Sequence, residues 1–461
     1  MNPNIFREYD IRGIVETDLT EDVVELLGKS YGTYMKRLGY KNFSVGCDVR
    51  LSSGDLKRAL VKGILSTGGN VIDIGVLPTP AFYFSIAHLN MDGGVMITGS
   101  HNPIEYNGFK LNNGLGSVYG EEIQTLRRLI EADDFELGEG VFVNKEILND
   151  YKSMLKRKIK FGKKLKIVMD PGNGTGGLAA PEVFKALGAD VTCIFCEPDG
   201  HFPNHLPDPT VLNYIRTLRD KVIELGADIG LGYDGDSDRV GVIDNTGRVI
   251  FADRLLALLA KDVLKRYPGG EIIFDVKCSQ ALAEEIEKNG GKPLMWKTGH
   301  ALLKSKLQED KAPLAGEMSG HIFFADDYYG FDDAIYVSLR LAQLLSMSDK
   351  TMAELADEIP AFYSTPEIRM TCAEEEKFKI VKELSDYFKA RYETIDVDGV
   401  RVLFGDGWGL VRASNTQPVL VLRFEAKSES RLKEIIAIFV KKLKEYPSVQ
   451  LDMNEFTIVR G

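Results

Sequence analysis

The chain has 461 residues, 44% of them apolar and 27% charged, with 57 Lys and Arg against 68 Asp and Glu and a net charge of −11. At roughly 150 residues per domain this length holds about three or four domains, and the composition excludes disorder, collagen and coiled coil as overall descriptions. The acidic balance offers a nucleic-acid backbone no broad attractive field, so no nucleic-acid partner is expected, while a locally basic pocket can still take a small anionic substrate. The opening MNPNIFREYDIRG is polar and charged, unlike a signal peptide, and no stretch approaches the ~20 apolar residues of a membrane span. A soluble, cytoplasmic protein without a membrane partner is expected. The five cysteines (Cys47, Cys193, Cys196, Cys278 and Cys372) are odd in number and sparse, which argues against a disulfide framework and for a reducing compartment. Cys193 and Cys196 form a CxxC, but VTCIFC reads as a buried strand, and no second pair completes a zinc site.

A repeat follows along the chain. FSVGCD ends at Asp48, KIVMD at Asp170 and EIIFD at Asp275, each β-rich and each closing on an acid where a strand would meet a loop. Helical patterns come next: DLKRALVKGILSTGG, LAAPEVFKALGAD and ALAEEIEKNGG, ending near glycine as a helix C-terminus prefers. Second strands NVIDIG, VTCIFC and KPLMW make each unit βαβ, hence parallel. A third apolar run then leads into a polar loop: GGVMITGSHNP, ADIGLGYDGDSDR and APLAGEMSGH. Beyond about residue 366 a long amphipathic helix, three closely spaced strands (VRVLF, GLVRAS, PVLVLRFEA) and a final helix indicate an α+β unit. The expected units are residues 1–150, 151–250, 251–366 and 367–461.

Four loops carry chemistry. In Thr98-Gly99-Ser100-His101-Asn102-Pro103 a serine in a glycine-flanked turn presents an exposed hydroxyl, with His101, Asn102 and Lys110 at hand to activate it; the same residues also suit an ordinary turn. In Asp234-Gly235-Asp236-Ser237-Asp238-Arg239 alternating carboxylates repel unless a cation lies between them, and hard oxygen ligands suit Mg²⁺ or Ca²⁺; Arg239 and Asn245 stand where an EF-hand needs Gly and Glu. Gly316-Glu317-Met318-Ser319-Gly320-His321 offers an acceptor, a hydroxyl and an imidazole with little bulk, which suits sugar hydroxyls. Arg412-Ala413-Ser414-Asn415-Thr416-Gln417-Pro418, with Arg423 beyond, forms a phosphate cradle. A decoy, Gly172 to Gly177, matches GxGxxG with Glu197 farther on, but a tight strand-to-helix turn accounts for the glycines equally well. His205 and Asp208, in a proline-rich loop, are left out of the site.

FREYDIRG, TGSHNP, DGDSDR, GEMSGH and RASNTQP, in this order and spread over nearly the whole chain, resemble the α-D-phosphohexomutase superfamily, and GEMSGH points to its phosphomannomutase/phosphoglucomutase branch. Glucosamine-phosphate mutases tend to carry another residue at Met318. The resemblance implies three similar α/β domains with mixed sheets flanked by helices, plus a C-terminal α+β domain resembling the TATA-binding protein, around a central cleft. It implies that Ser100 bears a phosphoryl group, that Asp234, Asp236 and Asp238 hold Mg²⁺ with Ser100 as a further ligand, and that Glu317 and Ser319 contact the sugar. It implies that Arg412, Ser414, Asn415 and Thr416 bind the phosphate not in transfer, and that Tyr9, Arg12, Lys277 and His300 line the cleft.

The implied reaction moves a phosphoryl group between C6 and C1 of a hexose through a 1,6-bisphosphate that turns end for end. Arg239 and Lys110 stabilise charge on the transferring group. Lys110 and His321 are both candidates to accept the attacking hydroxyl's proton, with His101 beside the serine. A mobile fourth domain, hinged near residue 366, would let the intermediate turn. The alternatives are a phosphoglucosamine mutase, a phosphatase with an aspartate nucleophile and a non-catalytic sugar-phosphate sensor. Mannose or glucose preference, and a monomer or a small homo-oligomer, stay open.

Overall fold

The computed structural model describes residues 1–415 and 417–460. The first part of the chain forms β1 (Ile11–Ile14), α1 (Glu21–Arg37), β2 (Asn42–Cys47), α2 (Ser53–Ser66), β3 (Asn70–Val76), α3 (Thr79–His88), β4 (Gly93–Ile97), β5 (Tyr106–Asn113), β6 (Gly116–Ser117), α4 (Glu121–Glu131) and β7 (Phe142–Asn144). Its sheet runs β1-β5-β4-β2-β3-β7, with β6 beside β5. The second part forms α5 (Leu148–Lys158), β8 (Lys166–Asp170), α6 (Ala180–Ala186), β9 (Asp190–Cys193), α7 (Arg216–Leu225), β10 (Ile229–Tyr233), β11 (Val240–Asp244) and β12 (Val249–Ile250), in the sheet order β12-β11-β10-β8-β9. The third forms α8 (Ala252–Arg266), β13 (Glu271–Asp275), α9 (Gln280–Lys288), β14 (Lys292–Trp296), α10 (His300–Asp310), β15 (Leu314–Gly316), β16 (Ile322–Phe324), α11 (Ala334–Ser346) and α12 (Met352–Ala356), in the order β14-β13-β15-β16.

One arrangement underlies all three sheets. A central strand (β2, β8, β13) has parallel neighbours on both sides, and a hairpin leads from the third strand (β4, β10, β15) into an antiparallel one (β5, β11, β16). β4, β10 and β15 are buried end to end, as strands covered by helices on both faces must be. The acids that close the central strands all make one turn. Asp48, Asp170 and Asp275 each accept through Oδ1 from the backbone N–H two residues on, at 2.9, 2.9 and 3.1 Å. This is the local bond that makes Asp a turn former. The three chemically loaded hairpin loops are thus one loop of the repeat, met three times.

The last part forms β17 (Tyr363–Ser364), β18 (Ile368–Thr371), α13 (Lys377–Lys389), β19 (Glu393–Ile395), β20 (Val400–Leu403), β21 (Gly407–Ala413), β22 (Val419–Ala426), α14 (Glu429–Leu443) and β23 (Val459–Arg460). Its sheet is antiparallel, β19-β20-β21-β22-β17-β23 with β18 also on β22. Residue 150 falls inside α5, residue 250 closes β12, and β17 joins the fourth sheet ahead of residue 366.

A continuous apolar core joins α3 of the first unit to the sheets of the second and third, through residues such as Phe82, Tyr151, Phe184, Leu231, Phe274 and Phe324. The fourth unit has its own core, around Phe388, Phe424 and Phe439. It meets the third through a small cluster of Val276, Trp408 and Leu410 and through two buried arginines. Arg401 stacks 3.6 Å over Trp408 and donates to the carbonyls of Val276 and Cys278, and Arg423 pairs with Asp253 at 3.1 Å.

VTCIFC departs from its reading as a buried strand. The strand stops at Cys193, Phe195 takes a left-handed φ of 52°, and Cys193 and Cys196 are joined as a disulfide. The turn at Phe195 brings together two sulfurs that a strand would have pointed to opposite faces.

Candidate functional site

The loop after β4 is built around two residues that carry no motif. Asp48 Oδ2 accepts from Thr98 Oγ1 at 2.8 Å and from the Gly99 N–H at 3.2 Å, and Thr98 Oγ1 in turn accepts from the Ser100 N–H at 2.9 Å. Arg50, 3% exposed, donates to the carbonyls of Pro103, Tyr106, Ser100 and Asn102, so the loop wraps its guanidinium. Ser100 is held at a left-handed φ of 48°. Its hydroxyl is not exposed, as expected of a turn serine, but 2% accessible. The reason is that the second unit closes over it: Ser100 Oγ donates to Asp234 Oδ2 at 2.7 Å, and also lies 3.1 Å from His101 Nδ1. Gly235 passes so close that a Cβ there would sit 2.5 Å from the Ser100 carbonyl.

The loop between β10 and β11 places the carboxylates of Asp234, Asp236 and Asp238, all fully buried, with their oxygens within 4.8 Å of one another. Asp234 Oδ1 accepts from the N–H groups of Asp238 and Arg239, both at 3.1 Å. Asp236 Oδ2 accepts from Thr79 Oγ1 at 2.6 Å, which ties the first unit's α3 to the loop. Lys110 Nζ lies 3.1 Å from Asp236 Oδ2 and bonds Asp238 Oδ2. Burial, then repulsion from Asp238 and Asp236, pushes the Asp234 carboxyl well up. Burial also works against an ionised Asp236, but the Lys110 ammonium outweighs it and holds that carboxyl below the usual range. Lys110 loses charge to burial and regains more from Asp236 and Asp238, so it stays a cation. Asp236 Oδ1 and Asp238 Oδ1 are buried without a hydrogen-bond partner. Orphaned hard oxygens beside a carboxyl that resists ionisation are what a divalent cation would correct, so the trio fits a metal ion.

Between β15 and β16, Glu317 Oε1 accepts from the Gly299 N–H at 2.5 Å and Oε2 from Ser319 Oγ at 2.9 Å. His321 Nε2 accepts from Arg239 Nε at 2.9 Å, while Nδ1 lies 3.0 Å from Asp332 Oδ2 and 3.6 Å from Asp238 Oδ1. His300 stacks on His321, and Tyr9 meets the edge of His300. Burial holds the imidazoles of His101 and His300 well below the usual histidine range.

In the loop between β21 and β22, Arg412 Nε donates to Asp398 Oδ2 at 2.8 Å, and the same oxygen accepts from the Thr298 N–H at 3.1 Å. Asn415 Nδ2 donates to Tyr9 Oη at 2.6 Å, and Tyr9 Oη donates to the Thr298 carbonyl at 2.8 Å. Ser414 Oγ accepts from the Gln417 N–H at 3.2 Å. Thr416 lies outside the described residues. Arg423 is not part of this cradle: its strand carries it to the buried junction with Asp253, away from the loop.

The expected residues are therefore brought together in two linked groups. Ser100, His101, Lys110, the three aspartates, Arg239 and His321 form one; Tyr9, His300, Glu317, Ser319, Arg412, Ser414 and Asn415 form the other, with the His300–His321 stack between them. Arg12 donates to Asn102 Oδ1 at 2.7 Å, at the mouth of the serine loop, and Lys277 Nζ donates to Glu367 Oε2 at 2.8 Å, across to the fourth unit. Arg50, Thr79, Asp332 and Asp398 were missed. None of these four lies in a motif; Asp48 was legible as the acid at a strand end, though not as the anchor of the serine loop. The glycines at 172–177 make the tight turn and do more: the Thr175 N–H donates to the Gly235 carbonyl at 2.9 Å, beneath the aspartates.

Four family profiles match in succession: "Phosphoglucomutase/phosphomannomutase, alpha/beta/alpha domain I" over residues 3–137, domain II over 146–247, domain III over 251–363 and the C-terminal domain over 367–442. A phosphomannomutase/phosphoglucomutase of Pseudomonas putida is 47% identical over 97% of both chains. A phosphoglucomutase of Neisseria gonorrhoeae is 41% identical over 96% of this chain and 97% of its own. The crystal structure of a phosphoglucomutase/phosphomannomutase family protein from Burkholderia thailandensis superposes with a TM-score of 0.93 at 41% identity, over 98% of this chain and 99% of that one.

Proposed function

The chain belongs to the phosphoglucomutase/phosphomannomutase family and is a phosphotransferring hexose-phosphate mutase, and from that premise we propose which residues move the phosphoryl group. The substrates are hexose 6-phosphates and 1-phosphates of mannose, glucose or both. Ser100 carries a phosphoryl group and gives it to the free hydroxyl of the bound monophosphate. The hexose 1,6-bisphosphate so formed turns over and returns its other phosphoryl group to Ser100. The observation that carries this reading is the 2.7 Å bond from Ser100 Oγ to Asp234, within a buried trio of aspartates.

Asp234, Asp236, Asp238 and Ser100 would hold Mg²⁺. Bound there, the ion would offset negative charge on the transferring group. Arg239 and Lys110 add fixed positive charge at the same place. Lys110 is held as a cation between two carboxylates, which leaves it a poor proton acceptor. His321, fastened through Nδ1 by Asp332, is the better candidate to take the hydroxyl's proton at Nε2, with Arg239 released toward the phosphoryl group as it does so. His101 is kept neutral beside the nucleophile. Glu317 and Ser319 grip sugar hydroxyls, and Arg412, Ser414, Asn415 and Thr416 hold the resting phosphate. Tyr9, Arg12, Lys277 and His300 line the path on which the sugar turns.

The four units, expected at 1–150, 151–250, 251–366 and 367–461, take α5 into the second and β17 into the fourth, and the fourth swings on a hinge near residue 366 while the first three stay joined by their common core. The protein works in the cytoplasm, as a monomer or a small homo-oligomer. An aspartate-nucleophile phosphatase is disfavoured by Asp234 itself, whose two oxygens are occupied by backbone N–H groups and by Ser100. Initial rates on the 1-phosphates of mannose, glucose and glucosamine, with Mg²⁺ and bisphosphate added, test the reading. Formation of 6-phosphates supports it; release of inorganic phosphate, or binding without turnover and without phosphate on Ser100, refutes it.

A further inference from the structure

We propose that Cys193 and Cys196 are a reversible thiol–disulfide site whose state is passed to both the metal loop and the serine loop by the segment that follows them. The two residues are joined as a disulfide, with their Cα atoms 5.9 Å apart, inside the range that such a bond spans. Both are half-buried, within reach of a reagent in solution, whereas Cys47, Cys278 and Cys372 are buried and unpaired. Burial pushes the Cys47 thiol up to about 11 and the Cys278 thiol up as well, which leaves these two unreactive. The loop that the bond closes is as short as a CxxC allows, so it contributes little as a staple. Its reach lies in what the closed loop touches.

Two routes lead from it. On one side the Phe195 carbonyl accepts from the Asn173 N–H at 2.8 Å, the Glu197 carbonyl accepts from Asn173 Nδ2 at 2.9 Å, and a Cβ on Gly177 would meet the Cys196 carbonyl at 2.0 Å. The glycine turn clamped in this way is the one that bonds Gly235 through Thr175, under Asp234 and Asp236. On the other side the chain crosses to the first unit. A Cβ on Gly200 would sit 2.4 Å from the Val49 carbonyl, and the Phe202 ring faces the Arg50 guanidinium at 5.3 Å. Arg50 is the residue around which the Ser100 loop is wrapped. One short segment thus braces both halves of the chemistry, and the Cys pair closes its root.

In a reducing compartment the resting form is the dithiol, and oxidation draws the brace tight. The reductant is a dithiol. One of its thiolates attacks a cysteine sulfur, the S–S bond breaks and a mixed disulfide forms. Its second thiolate then releases the protein, so that two electrons and two protons pass to Cys193 and Cys196 while the reagent becomes a disulfide. Any consequence for turnover rests on the mutase reading above; the redox couple and its mechanical effect do not.

The test is to equilibrate the full chain in a series of dithiothreitol buffers of graded oxidised-to-reduced ratio, alkylate it and weigh it. The same samples are followed by hydrogen exchange and by mutase assay. A single two-electron transition is expected that adds two labels on Cys193 and Cys196, and that is absent from C193S/C196S. Amides in 172–177, 200–206 and 234–239 are expected to exchange about three-fold faster or more in the reduced protein. A pair that stays reduced or stays oxidised across the series overturns the site. A clean transition that leaves exchange in those segments unchanged overturns its transmission. Slower exchange on oxidation with no mutase activity in either state upholds the site and removes the mutase reading instead. Should C193S/C196S fail to fold, the wild-type label count decides alone.

Discussion

Replacing Arg50 by lysine keeps the charge but removes the fork. The guanidinium makes four bonds to backbone carbonyls, at 2.7 Å to Pro103, 2.9 Å to Tyr106, 3.0 Å to Ser100 and 2.5 Å to Asn102. An ammonium at one point in space can keep about half of these. A hydrogen bond to a charged donor contributes about 1.5–3 kcal/mol, so about two lost bonds remove roughly 3–6 kcal/mol gross. Water entering beside the shorter head returns part of this, leaving a net cost of about 2–4 kcal/mol. If that cost falls on the positioning of Ser100, turnover drops roughly 30- to 1000-fold. R50M goes further and strands Asp48, which is 2% exposed and has its carboxyl already raised by burial. A raised carboxyl favours the folded state at low pH. Its contribution is complete below the unfolded value of about 3.9 and is lost as pH rises through the folded value, so the loss of melting temperature in R50M relative to the parent should be larger at neutral than at acid pH. Steady-state kinetics with melting curves across pH measure both. An R50K enzyme with unchanged kcat and an unshifted melting temperature would refute the claim that this side chain shapes the serine loop.

Ser100→Ala should lower kcat by about three orders of magnitude or more, while sugar-phosphate affinity, followed by calorimetry, survives. EDTA should abolish turnover and leave the far-ultraviolet circular dichroism intact; undiminished activity counts against the aspartate trio as a metal site. Asp398→Asn removes the charge that holds both Arg412 and the Thr298 N–H, and should raise KM about ten-fold, roughly 1.4 kcal/mol, with a smaller effect on kcat. His101 and His300 are held neutral by burial, so their contribution to stability is full above about pH 6.5 and is lost as pH falls through and below that value. The melting temperature should therefore decline on acidification, and H300N should flatten the decline; an identical slope for H300N assigns the acid sensitivity elsewhere.

The chemistry was legible where it is local. Each motif loop is contiguous in sequence and hangs on a strand whose continuous apolar run marks it as buried, so both the loop and its place at the strand end follow from neighbouring residues. The acids Asp48, Asp170 and Asp275 were visible for the same reason, although their shared turn bond was not. Arg50, Thr79, Asp332 and Asp398 were not legible, because each acts on a partner outside its own turn or motif: Arg50 on the serine loop some fifty residues on, Asp332 on His321, Asp398 on Arg412 and Thr298, and Thr79 on Asp236. No spacing rule links such pairs; the folding of a unit brings some together, and the packing of one unit on the next brings Thr79 to Asp236 and Asp398 to Thr298. The Cys193–Cys196 bond was missed because an apolar run around two cysteines has the composition of a strand, and the left-handed turn at Phe195 that ends it carries no glycine to announce it.

Because one hairpin position serves three times, the roles proposed above divide labour among copies of a single module: one would supply the hydroxyl, one the acids, one the grip on the sugar. The point where they converge belongs to the arrangement of the sheets and not to any loop. With those roles, a change of sugar can then arise at Glu317 and Ser319 of the β15–β16 hairpin, with His321 at its end and the other two hairpins left standing, which makes that pair the place to alter when a different hexose is wanted.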